Sequence, residues 1–138
     1  MLFTDSNCLV KRHGYPLAHF TLLSFLYSML MNDARSALES VGLDPQIGFL
    51  HALRPGRAAL ALDLMEEFRP LLADRLALTL INRRQINADD FDEHAGGAVT
   101  LKDNARRAVI TAYQERKQEA LTHPLLESSF ALGLVPFV

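Results

Sequence analysis

A mainly α-helical domain is what this sequence predicts, and three observations predict it. Two long stretches, about 17–41 and 58–84, carry apolar residues three and four positions apart with few breakers. A third, about 104–121, interleaves alanines with basic residues at the same period. Residues that favour strands gather in one short run near 96–101, enough for a small β element but not for a sheet-based fold. At 138 residues the chain has the length of one domain with a sizeable core.

Residues 1–16 mix polar Thr4-Asp5-Ser6-Asn7, basic Lys11-Arg12-His13, Gly14 and Pro16, with no sustained period, and read as an irregular lead. In the first helix Leu23, Leu26, Leu30, Ala34, Ala37, Leu38 and Val41 form the apolar stripe. Gly42 and Asp44-Pro45 end it. "QIGFLHALRPGR" is punctuated by Gly48, Pro55 and Gly56 and predicts a turn and loop. From about Ala58 to Arg84 a wide stripe of Leu60, Leu64, Phe68, Leu71, Leu72, Leu76, Leu80 and Ile81 predicts a long helix. Pro70 inside it predicts a kink or a junction of two helices, because proline lacks the N–H and crowds the preceding turn. Asn87 can open a short acidic helix over 87–93. "HAGGAVTLKD" reads as a strand or hairpin edge, and Asp103 as the cap of the helix 104–121, which Pro124 follows.

The chain is 49% hydrophobic and 22% charged, with a formal charge of −2. That excludes a disordered tail and a membrane bundle, and it gives no global basic signature, so nucleic-acid contact would have to come from a local patch. The single Cys8 excludes an intrachain disulfide and a cysteine-rich zinc site, and suits a reducing cytoplasm. Lys11-Arg12 before the run Leu17–Met31 mimics a signal peptide, but His19, Thr21, Ser24 and Ser28 interrupt the run and it is too short to span a bilayer.

Asp63, Glu66 and Glu67 stand at i, i+3 and i+4 and share one helix face, with His51 shortly before them. Carboxylate oxygens and an imidazole nitrogen suit Mn²⁺ or Mg²⁺, whose work in nucleases is to polarise a phosphate. On spacing alone the commoner outcome is a solvated face paired with Arg57 or Arg69. Arg54 and Arg57, either side of Pro55-Gly56, are candidate phosphate contacts, as are Arg83 and Arg84. His123 before Pro124 reads as a helix terminator, and His13, His19 and His94 have no partner at ligand spacing.

The wording of one long stretch adds to this. "LLSFLYSMLMNDARSALESVGLDP", "IGFLHALRPGRAALALDLMEEFRPLLADRLALTLINRRQ" and "GGAVTLKDNARRAVITAYQERKQEALTHPLL", on to "GLVPFV", closely resemble the helical C-terminal domain of the CRISPR-associated adaptation endonuclease and integrase family, most of all its subtype I-C members. The resemblance implies that the histidine of G-F-L-H, His51, and the acid Glu66 are metal ligands for Mn²⁺ or Mg²⁺. Asp63 then supports catalysis, and Arg54 and Arg57 steady the DNA backbone. It implies spacer acquisition as the function, in the cytoplasm, with DNA, a second copy of the chain and the small adaptation protein Cas two as partners.

Nothing before His51 resembles the family's β-rich domain or its third ligand, a glutamate in a G-x-E-G-x-A-like context; Glu39 does not match it. The expectation is therefore a truncated helical catalytic domain over 17–138, weak or inactive alone. The alternative is a catalytically dead remnant that oligomerises or binds DNA. In either case the faces of the first helix that carry Phe25, Leu26, Met29 and Leu30 are expected to seek a second chain.

Overall fold

The computed structural model describes the backbone of residues 6–48, 57–122 and 129–131, and side chains over 17–48 and 57–119. Four helices dominate: α1 (Ser6–Ser40), α2 (Ala59–Arg69), α3 (Arg75–Asn82) and α4 (Asp103–Gln118). The predicted mainly α class holds. Two small antiparallel pairs accompany the helices, β1 (Phe91–Glu93) with β2 (Val99–Leu101), and β3 (Ala120–Thr122) with β4 (Ser129–Ala131).

α1 begins at Ser6, so the stretch read as an irregular lead is helical from there on, through Gly14 and Pro16. Local breakers are a weak prior that an adjoining strong helix overrides. At the other end the expectation stands: Gly42 takes φ +77°, its N–H donates to the Glu39 carbonyl, and the Leu43 N–H donates to the Leu38 carbonyl. Only glycine enters that left-handed conformation without a steric cost, so the turn closes there.

Among the described side chains of α1, those of Ala18, Leu22, Leu26, Leu30, Ala34 and Leu38 are buried, each four positions after the last. A step of four in a helix of 3.6 residues per turn overshoots by about 40°, so the stripe winds through about 200° between Ala18 and Leu38. One straight helix can therefore bury different sides at its two ends. Leu22, Leu26 and Leu30 join the main core of Leu72, Leu76, Leu80, Leu101, Val109 and Tyr113, whereas Ala34 and Leu38 meet Ala58 and Ala61 of the second chain segment. Leu26 and Leu30 are covered by the chain itself, and Phe25 and Met29 are half-buried against the main core, contrary to the expectation that these four seek another chain. Among the described residues, the large apolar side chains that remain exposed are instead Leu17, Phe20, Val41, Leu43, Ile47, Leu78 and Ile110.

The stretch 58–84 breaks at the proline, as expected, and it does so by a specific device. Pro70–Asp74 forms a π turn between α2 and α3, closed by the Arg75 N–H donating to the Pro70 carbonyl. Proline lacks the N–H that an α turn would use, and widening the turn by one residue accommodates the loss. The buried residues of α2 are not its leucine stripe but Ala59, Ala61 and Met65, of which Ala61 and Met65 share a face; Leu60, Leu64 and Phe68 are only half-buried. Small residues let α1 and α2 approach closely, and the larger ones flank the contact. Arg84, at φ +55°, ends α3 in the left-handed region.

Asn87 and Asp90 form a reciprocal capping box, the Asn87 N–H donating to Asp90 Oδ2 at 2.7 Å, but it opens only a one-turn 3₁₀ segment, Ala88–Asp90. Phe91–Glu93 then pairs with Val99–Leu101, so half of the predicted acidic helix is strand and the hairpin expectation is met. Gly96 and Gly97, at φ +106° and +81°, make its turn. Asp103 is the first residue of α4 and does not cap it; Lys102 occupies the cap position without a side-chain bond. α4 stops at Gln118 because Glu119 is extended, and Leu121 lies in β3. No helix among the described residues is long and apolar enough to cross a membrane.

Candidate functional site

α2 carries the acidic face, and its start is fixed by an unusual cap. Ala58 has no side chain to satisfy the first N–H groups of the helix, and the Pro45 carbonyl does so instead, accepting from Leu60 N–H at 2.8 Å and Ala61 N–H at 3.2 Å. The turn that presents this carbonyl is held by Asp44, whose Oδ1 accepts from the Gln46 N–H at 2.9 Å. Gly48 then lies directly on α2: a Cβ at that position would sit 2.6 Å from Ala59 Cβ and 2.7 Å from its carbonyl carbon. The chain thus enters the segment 49–56 from a fixed point.

Along α2, Asp63 is half-buried and Glu66 and Glu67 are exposed, on one face as the spacing requires; none of the three is without a partner in the fold. His51 and Arg54 lie outside the described residues. Arg57 is exposed at the entry to α2. Among the described residues no three of His, Cys, Asp and Glu gather as a ready metal site. The oxygens of Asp63 and Glu66 are the hard donors that Mn²⁺ or Mg²⁺ prefers, so the donor set fits such an ion as far as it is described.

Glu39 is exposed at the end of α1, where with Arg35, Asp44, Pro45, Gln46 and Ala58 it lines an open cavity of about 300 Å³. His19 is half-buried and lines a small cavity with Ile81, Ile86 and Phe91, and His94 Nε2 lies 2.8 Å from Thr100 Oγ1 across the hairpin. His123 is outside the described residues.

Two links between the side chains of distant elements escaped the sequence reading. Tyr27 Oη of α1 donates to Asp74 Oδ1 of the π turn at 2.5 Å, and the Arg69 guanidinium stands over the Tyr27 ring, 5.5 Å from its centroid. Burial, and then the hydrogen bond and charge of Asp74, push the Tyr27 phenol above its ordinary value, against a smaller pull from Arg69. In the second link Tyr113 Oη and Lys117 Nζ of α4 both donate to Asp33 Oδ2 of α1, at 2.8 and 2.9 Å. Burial first, and then Asp33, push the Tyr113 phenol far up. The spacing of Tyr113 and Lys117, i and i+4, was readable as a shared face; the partner 80 positions away was not.

The matched region identifies the lineage. A family model described as CRISPR associated protein Cas1 matches residues 20–115, which takes in α2 and its acidic face. The chain belongs to the Cas1 family. A CRISPR-associated endonuclease Cas1 of Moorella thermoacetica is 64% identical over 144 residues, covering 97% of this chain and 42% of the relative. A solved CAS1 protein from Thermotoga maritima superposes with a TM-score of 0.73 at 35% identity, over 82% of this chain and 34% of that one. A casposase solved bound to its integration product gives 0.72 at 28% identity, over 85% of this chain and 33% of that one. The chain thus spans less than half the length of the Cas1 relatives it matches.

Proposed function

We propose that this chain supplies the acidic helix of a CRISPR adaptation endonuclease and integrase, acting on DNA with Mn²⁺ or Mg²⁺. The observation that carries the reading is the placement of Asp63 and Glu66 on one face of α2, inside the Cas1-matched region. Names of relatives support the chemistry: the Moorella relative is called an endonuclease, and the casposase is bound to an integration product. The likeness to subtype I-C members, read from the sequence, belongs to this proposal as well.

In this reading His51 and Glu66 hold the ion, which supplies positive charge to polarise a phosphodiester. Asp63 orients the site from its half-buried position, and Arg54 and Arg57 contact phosphates on the approach. The covalent chain permits the pairing of His51 with Glu66. Gly48 rests on Ala59, three residues of chain reach at most about 10 Å, α2 rises about 10.5 Å between Ala59 and Glu66, and the length of a histidine and a glutamate side chain exceeds the difference. The domain of 17–138 would work with a second copy and with Cas two, in the cytoplasm. Because no residue before His51 matches the family's glutamate ligand, the chain alone should hold its ion weakly and cleave DNA near background.

Calorimetry with Mn²⁺ tests the assignment on the full chain and on His51→Ala and Glu66→Ala. Dissociation constants of roughly 10⁻⁴–10⁻³ M, as in sites with few charged ligands, are expected for the unaltered chain, and weaker binding in both variants. Equal binding in all three overturns the ligand assignment and leaves the alternative of a metal-free helical remnant. Robust metal-dependent cleavage by the chain alone overturns the expectation of weakness.

A further inference from the structure

The acidic face of α2 poses an electrostatic problem for any polyanionic substrate. Asp63, Glu66 and Glu67 put three carboxylates on the face that a phosphate backbone would approach, and although each has a partner in the fold, a cation beside them favours that approach. The residue that answers this is Arg69, the last of α2. It lies three positions after Glu66, about 4.5 Å further along the axis and about 60° around it, so the two side chains are neighbours.

Arg69 is exposed, yet its guanidinium is not left to wander: it stands over the Tyr27 ring. The ring is itself fixed, because Tyr27 Oη donates to Asp74 Oδ1. The π turn makes this possible. In an α-helix residues five apart, such as Arg69 and Asp74, point about 140° away from each other. The wider i→i+5 turn of Pro70–Asp74 brings them back to one side, so that both reach Tyr27. The ion pairs Lys102–Asp92, Arg106–Asp103, Arg116–Glu119 and Lys117–Asp33 do not take Arg69. A guanidinium held over a ring by a cation–π contact spends no N–H group on a hydrogen bond there, and the spacing of those groups matches two oxygens of one phosphate.

We infer that Arg69, pre-oriented by Tyr27 and Asp74, is a seat for a backbone phosphate of the nucleic acid that lies across the acidic face of α2. The inference rests on the reading that this face works on DNA, and it adds a substrate-binding residue and two positioning residues to it. Tyr27 and Asp74 do not touch the substrate. They hold the cation where a phosphate one turn from Glu66 would meet it.

Fluorescence anisotropy of a short labelled DNA duplex, titrated with the full chain in Mn²⁺ at several salt concentrations, tests this. Arg69→Ala should weaken binding about three- to tenfold and lower the slope of log affinity against log salt by about one, the signature of one lost phosphate contact. Arg69→Lys should keep the slope and lose part of the affinity, since the charge stays and the stacked fork goes. Tyr27→Leu, checked for folding by circular dichroism, should weaken binding by less than Arg69→Ala. Arg107→Ala on α4 removes the same charge elsewhere and should leave the slope unchanged. An unchanged slope in Arg69→Ala, or an equal loss in Arg107→Ala, overturns the inference. If either result accompanies loss of Mn²⁺ binding in Glu66→Ala, the metal reading survives it; failure of the unaltered chain to bind DNA overturns both.

Discussion

Tyr113 shows what one side chain decides here. It is 1% exposed, yet its hydroxyl reaches Asp33 on α1, while Lys117 covers the same carboxylate oxygen. Removing the hydroxyl in Tyr113→Phe leaves the ring to pack but takes one donor from Asp33, and should cost about 1–2 kcal/mol near neutral pH. The pH dependence has a definite sign. The folded phenol is pushed above the ordinary value of 10.0, so the native state keeps its proton where the unfolded chain loses it. Stability from this group is therefore complete below about pH 10 and falls as pH rises beyond it, and the phenylalanine variant lacks that loss. Urea midpoints for both proteins at about pH 8 and about pH 11 should show the difference between them shrinking or reversing at the higher pH. A constant difference would mean that the phenol does not titrate with folding.

Elements were legible where the local chain contains its own signal. The stop at Gly42 and the hairpin around Gly96-Gly97 follow from backbone conformations that few residues adopt, the break at Pro70 follows from the N–H that proline lacks, and all three are where expected. Less legible were features that depend on a remote partner. α2 has no capping side chain in its own sequence, because its cap is a carbonyl thirteen or more positions upstream, on Pro45. The same turn makes Gly48 a test of the arrangement. In Gly48→Ala the added Cβ would meet the backbone of Ala59 at 2.7 Å, which no side-chain rotation relieves. The turn must move off α2, with a loss of about 1–3 kcal/mol by analogy with overpacked cores. Chemical denaturation measures it. Stability equal to that of the unaltered chain would show that the turn does not bear on α2.

At the scale of the whole molecule, the winding stripe of α1 explains how few elements make a core. One end of α1 packs in the main cluster with residues of α3, α4 and β2, and the other packs on α2. Among the described residues, the large apolar side chains that remain uncovered include Leu17 and Phe20, 50% and 71% exposed, on α1, and Val41, Leu43 and Ile47 around the turn after it. Burial of such surface gains roughly 25 cal/mol per Å². Self-association of the chain is accordingly proposed, and light scattering over a range of concentrations should show a mass that rises with concentration. A monodisperse monomer at high micromolar concentration would overturn it.

By itself the sequence determined the helical class, the breaks between helices, the hairpin, the shared face of Asp63, Glu66 and Glu67, and the lineage that the Cas1 match then established. All of these rest on residues close together in the chain, where period, proline and glycine act directly on the backbone. Only the tertiary structure decided that α2 buries its alanines and not its leucines, whereas Leu26, Leu30, Ala34 and Leu38 of α1, and Leu72, Leu76 and Leu80, are buried as their spacing predicts. The leucines of α2 outnumber its alanines in hydrophobicity, but close approach of α1 favours Ala58, Ala61 and Ala34 at the contact. It also decided that Tyr27, Arg69 and Asp74 meet, and that Asp33 holds Tyr113 and Lys117. Such links form between residues tens of positions apart, and their register is set by packing, which no local period encodes.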